Sequence, residues 1–254
     1  MEAIPFGAVG LVLFMVACIA VGLRLIRLWR ITHLLPELLL AVALLGTGFL
    51  GFALEAAARM VPDLPELARL GLVLAGLSGE YLGAFALFVF VRRVFRPQAR
   101  WAAVLAWLGG ALLVTAVVGE CASGQYLRYI DREPSRGPFV PLGIAARGLA
   151  PLWTALESFR YHRMLRRRVR IGLADPMVVH RVALWGTATA ASLAAHVVAV
   201  AHRVRWGTAL EADPWALNLV SALALVAATC IALAFFPPAT YRQWVRRRGA
   251  PASG

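Results

Sequence analysis

The sequence predicts an all-α fold: a polytopic bundle of seven membrane-spanning helices forming one domain over residues 1–254. Three observations predict it. Hydrophobic residues make up 61% of the chain and mean hydropathy is +0.73, where soluble domains sit at roughly 45–50% apolar. The apolar residues fall into seven runs, each long enough to cross a ~30 Å hydrocarbon core as a helix. Arginines gather in alternate connections between those runs, as topology signals do.

The expected spans are about 4–24, 34–58, 70–94, 101–121, 139–160, 178–202 and 214–236. The first begins after Met1-Glu2-Ala3, with no basic leader, and its apolar run is too long for a cleavable signal. It reads as a retained helix ending at Arg24, Arg27 and Arg30. The second opens at Pro36 and Glu37, an acid that favours a helix N-terminus. The third, Leu70–Phe95, carries Glu80 near its middle, with Gly76, Gly79 and Gly83 at helical spacing on the same face. Small residues at that spacing admit a neighbouring backbone, so the third span is expected to be central. The fifth is the weakest, because Pro141 and Pro151 flank Arg147 within it. Either Arg147 lies in the membrane as a counter-ion of Glu80, or the helix starts later and the guanidinium reaches outward.

Eighteen of the 26 arginines lie in one set of connections: after the first and third spans, between the fifth and sixth, and after the seventh. Only Glu37, Glu157 and Asp175 share that side. The positive-inside rule then places the N-terminus outside and the C-terminus in the cytoplasm, as in a multi-pass protein of the bacterial cytoplasmic membrane. Trp29, Trp101, Trp206, Trp215 and Trp244 near span ends form an aromatic belt. The longest outer connection, 121–138, is expected to form a small polar cap with Tyr126 and Tyr129. The inner connection holds Arg160, Arg163, Arg166, Arg167, Arg168 and Arg170, and helix five is expected to extend into it. That cluster either touches anionic head groups or docks a cytoplasmic signalling partner. Arginine triplets at 24–30 and 160–166 and Phe-Arg-Pro97 against Phe-Pro-Pro238 suggest a 3+1+3 internal repeat.

Several functions are excluded or unsupported. The net charge of +13 comes entirely from arginine at helix ends, so nucleic acid is not the expected partner; the lipid bilayer is. No lysine occurs, which excludes a retinal Schiff base. Cys18, Cys121 and Cys230 have no metal-ligand spacing and read as small buried hydrophobes. His180, His196 and His202 share one helix without His-x-x-x-His. No metal, cofactor or enzymatic activity is expected.

Intramembrane polar residues are the remaining pointers. Glu80, Arg147 and His196 fall at similar depth in the outer half; Glu55, Asn218 and, one turn below, Ser221 accompany them. Glu80 must be paired or protonated. Tyr81 is expected to point elsewhere and pack, and Glu120 and His202 to mark the outer boundary. The inner half is nearly bare of polar groups until Glu157 and His180.

Gly51-Phe-Ala-Leu-Glu55 in the second span, the arginine-terminated first span and Phe88-Val-Phe-Val-Arg-Arg-Val-Phe95-Arg-Pro closing the third resemble the seven-helix membrane input modules of bacterial sensor kinases. No kinase domain accompanies them here. The resemblance implies a sensory, receptor-like module that binds a small-molecule ligand or a proton in the outer half. The 3+1+3 outline is similar to small sugar and vitamin transporters, without their proline-glutamine motifs. A small-solute transporter or channel is therefore the second expectation.

Overall fold

The computed structural model describes residues 6–61, 63–124, 137–206, 210 and 213–249. Among these there are helices and no strand. Helix α1 spans Phe6–Thr32. The second membrane crossing is interrupted: α2 (Leu35–Leu45), a π-helical turn (Gly46–Leu50) and α3 (Gly51–Met60). Then follow α4 (Glu66–Phe95), α5 (Arg100–Ala122), α6 (Phe139–Arg170), α7 (Pro176–Trp206), α8 (Pro214–Phe235) and a short α9 (Ala239–Gly249). Seven crossings are long and apolar enough to span a membrane, so the chain is a multi-pass membrane protein.

Proline and aspartate set several boundaries. Pro36 occupies the first turn of α2, and Pro65 precedes α4; a missing N–H costs nothing there, because the first amides of a helix have no intrahelical acceptor. The Asp213 carboxylate accepts from the amides of Trp215 at 2.9 Å and Ala216 at 3.4 Å, capping α8. Asp175 accepts from the Met177 amide at 2.8 Å at the start of α7.

Chain neighbours are also spatial neighbours. The second crossing packs on α1 and α4, then α4 on α5, α5 on α6, α6 on α7 and α7 on α8. Contact between α8 and α1 closes the ring. Helix α4 also packs on α6 and reaches α7 through Phe90 and Trp185, whose rings are 6.4 Å apart. It is the most buried crossing, the central position predicted from its glycines. Gly79 faces Leu50, and a Cβ at Gly83 would stand 2.8 Å from Thr47, so these glycines are where the second crossing approaches α4.

The fifth crossing starts at Phe139 as expected and is continuous through both Pro141 and Pro151, while two other features differ from expectation. Pro151 removes one donor, that for the Arg147 carbonyl, but the neighbouring crossings hold the helix in place. The first crossing continues eight residues past its expected end, to Thr32. Beyond the Pro237-Pro238 break, α9 docks on α7: Val245 is buried, and Tyr241 and Trp244 lie against the His180 ring. The apolar positions of α9 are too few to cross a membrane, which is why span counting passes over it. The expected extension of helix five is present, as α6 runs to Arg170. At ~1.5 Å per residue its 32 residues reach ~48 Å, well beyond the hydrocarbon. Tyr126 and Tyr129 of the expected outer cap lie outside the described residues.

Candidate functional site

The site grows from Glu80. On α4 this residue is one turn beyond Gly76 and faces the second crossing, where Gly51 stands. A Cβ on Gly51 would lie 2.9 Å from Glu80 Oε1, so the absence of that carbon makes room for the carboxylate. From the other side Arg147 Nη1 of α6 donates to Glu80 Oε2 in a charge-assisted hydrogen bond. The two side chains are only 17% and 20% exposed, so the pair is largely withdrawn from its surroundings but not sealed.

Arg147 is held by more than its counter-ion. Its Nε donates to the Gly143 carbonyl at 3.3 Å, one turn back on α6. Its guanidinium lies 5.2 Å from the centre of the Tyr81 ring, within cation–π range. Tyr81 is itself buried and donates its hydroxyl to Glu120 Oε1 of α5 at 2.9 Å. A Cβ at Gly143 would come within 2.9 Å of that same Glu120 oxygen, so this second glycine clears space for the Tyr81–Glu120 bond. Near the end of α7, Arg203 adds its charge to the field at Glu120. Together these form a chain of polar groups across the bundle: Glu80, Arg147, the Tyr81 ring and Glu120, drawn from α4, α6 and α5.

His196 of α7 adjoins it. Its Nε2 lies 3.1 Å from the Ile144 carbonyl, one turn from Arg147 on α6, and its ring edge packs over Gly148. Glu55 of α3 lies against Gly76, one turn of α4 from Glu80. Glu80, Arg147, His196 and Glu55 are thus brought to one region.

Asn218 and Ser221 do not join this group. Asn218 is on the exposed face of α8. Ser221 is fully buried on the seam between α8 and α1, where its Oγ accepts from the Gly10 amide at 3.0 Å. Asn218 lies on the outward side of α8 and Ser221 on the side packed against α1, so a shared depth in the sequence does not bring either to the Glu80 group. Tyr81 corrects expectation in the other direction: it is a hydrogen-bonding member of the site and not mere packing. Glu120 is likewise buried within the bundle. Both were detectable in the sequence. Ala102, Ala106, Gly109, Leu113, Ala116 and Glu120 recur at helical spacing as one buried stripe of α5, and Leu77, Tyr81, Ala84 and Phe88 do so on α4.

The half of the bundle toward Arg96 is occupied by aromatic rings. Phe88 and Trp101 both contact Trp153, at 6.0 and 6.2 Å between ring centres. Phe95 meets Tyr161 at 5.5 Å, and Trp185 meets Phe235 at 6.4 Å. Below them Arg96 Nε donates to both oxygens of Glu157 at 3.0 Å, tying the end of α4 to α6. Glu157, expected near the cytoplasmic boundary, is therefore a buried ion-pair partner. Arg160, Arg163, Arg166, Arg167 and Arg168 are exposed on the α6 extension; the Arg170 side chain lies outside the described residues.

Among the described residues no group of three or more histidine, cysteine, aspartate or glutamate side chains is arranged to hold a metal ion. Comparison with known proteins gives no family: no family model matches the chain, and neither a curated protein nor a solved structure matches it.

Proposed function

We propose that this chain is a sensory module of the bacterial cytoplasmic membrane, with the N-terminus outside, that responds to a proton or a small anionic ligand. The observation that carries this reading is the Glu80–Arg147 pair, mostly buried, whose arginine stands on α6, the helix that projects from the bundle. Proton uptake by Glu80, or an incoming carboxylate or phosphate competing for Arg147, breaks the same ion pair. Either event changes which groups satisfy the guanidinium. Stimulus binding shifts the protein only if its affinity differs between the two arrangements, and a pair that must open supplies that difference.

Helix α6 carries the consequence. It holds Arg147 near one end and the exposed arginines at the other, with the Arg96–Glu157 pair between them. Release of Arg147 frees α6 to shift against α4, and a separate cytoplasmic partner of acidic character reads the arginine face. The aromatic filling of the inner half favours this reading over a transporter. A transported solute needs a continuous path between the helices, and rings occupy that region.

Hydrogen exchange of the α6 extension tests the proposal in the reconstituted protein. Acidification from neutral pH, or addition of a panel of small carboxylates, is expected to alter protection over Arg160–Val169. Glu80→Gln, which mimics the protonated acid, should already show the altered protection and respond no further to acid. Unchanged protection under every condition would sink the proposal. Glu80-dependent solute flux into proteoliposomes would replace it with a transporter.

A further inference from the structure

The inner ends of α1 and α8 enclose a groove of about 500 Å³ that is independent of the Glu80 site. One stripe of α1 forms its floor, from Ala20 through Leu23, Arg24 and Arg27 to Ile31, and Phe236 closes one side. Two properties are combined there. The walls are apolar and outward-facing, with Leu23 57% and Ile31 74% exposed. The charge is wholly positive: two arginines and no acid line the groove.

The arginines are not equivalent. Arg24 is fixed in place, donating from Nη1 to the Phe235 carbonyl at 2.6 Å while its guanidinium lies 4.8 Å from the Phe236 ring centre. It thereby caps the C-terminal end of α8, where carbonyls lack intrahelical donors. Its other N–H groups remain for an outside acceptor. Arg27, one turn on, is exposed. A fixed guanidinium beside a freely reaching one suits a phosphate, which takes several donors at once.

Position decides what carries that phosphate. Both arginines lie within the last nine residues of a 27-residue helix, about the level where a ~30 Å hydrocarbon layer gives way to head groups. On the hydrocarbon side the same α1 face continues as exposed Val16 and Val12, a track for an acyl chain. A soluble anion has no use for that apolar surface. We propose that this groove is a binding site for an anionic phospholipid, with the phosphate between Arg24 and Arg27 and a chain laid along the Leu23–Ala20–Val16 stripe.

The test uses the full chain in mixed micelles, with thermal unfolding followed by tryptophan fluorescence. Phosphatidylglycerol is titrated against phosphatidylcholine at constant total lipid. The expected result is stabilisation of the wild type by phosphatidylglycerol, with half-saturation about fivefold weaker in Arg27→Gln. Arg163→Gln, which removes an exposed arginine from the distant α6 extension, is expected to match wild type. Inorganic phosphate and the water-soluble glycerophosphoglycerol head group should give no stabilisation. If either reproduces the lipid effect, the occupant is a soluble anion and the proposal falls. Equal weakening by Arg163→Gln and Arg27→Gln would show general charge attraction and would also overturn it. Should Arg27→Gln fail to fold in phosphatidylcholine, Ile31→Asn gives the same readout from the apolar wall: weakened lipid response supports the site, an unchanged one refutes it.

Discussion

At the scale of single residues, the site rests on groups that cannot be removed one at a time without leaving a charge stranded. Glu80 and Arg147 are each the other's principal solvation. Removing one partner of a buried pair costs about 3–5 kcal/mol, whereas replacing both by uncharged groups of similar shape is often nearly neutral. Arg147→Met is therefore expected to lower the melting temperature sharply, and Arg147→Met with Glu80→Gln to recover most of the loss. A double-mutant cycle in detergent measures this coupling; additive effects would mean that the two residues do not act as a pair. Gly143→Ala makes a separate case. The added carbon meets the Tyr81 hydroxyl and Glu120, so it should destabilise by about 1–3 kcal/mol through overpacking and a broken hydrogen bond. Combining it with Tyr81→Phe should cost little more than Gly143→Ala alone.

At the scale of elements, the helices were more legible than their faces. Crossing lengths, proline boundaries and the glycine face of α4 all follow from spacing, because hydrocarbon thickness and backbone satisfaction leave few alternatives. Glu80 and Arg147 could be paired by depth alone. Depth did not suffice for Asn218 and Ser221, which turn away, because rotation about the helix axis is set by which neighbours pack where. Nor did a sequence-level reading include Gly51 and Gly143, whose contribution is an absent carbon at a specific close approach. Docking of α9 was missed for another reason: its one buried apolar anchor, Val245, lies in a run dominated by arginine. Val245→Asp is expected to detach α9 from α7, exposing the Arg242 region to trypsin while leaving the seven-helix bundle folded. Cleavage at the wild-type rate would show that the docking contributes nothing.

For the whole molecule, the ring of crossings closed by α1 and α8 leaves the Glu80–Arg147 region and the exposed arginines of the α6 extension linked mainly through α4 and α6. The proposed orientation has a direct consequence for the cysteines. Cys121 is exposed at the end of α5, whereas Cys18 is fully buried between crossings. A membrane-impermeant maleimide added to intact cells should label Cys121, with Cys121→Ser abolishing the signal. Labelling that appears only after the cells are opened would reverse the proposed orientation.

The π-helical turn at Gly46–Leu50 carries a further consequence. Its defining bond runs from the Gly51 amide back five residues to the Gly46 carbonyl, where an ordinary helix would reach back four. The register of α3 is thus offset by one residue from that of α2. Deleting Phe49 is expected to remove the bulge and leave the distal half facing as it does, whereas rewinding the crossing as unbroken α-helix with every residue kept would turn everything beyond it by about 100°. Gly51 would no longer stand opposite Glu80, and Glu55 would leave Gly76. The second crossing thus works like a keyed shaft, in which one wide turn, by absorbing a single supernumerary residue, keeps the same side of the distal half toward the acid.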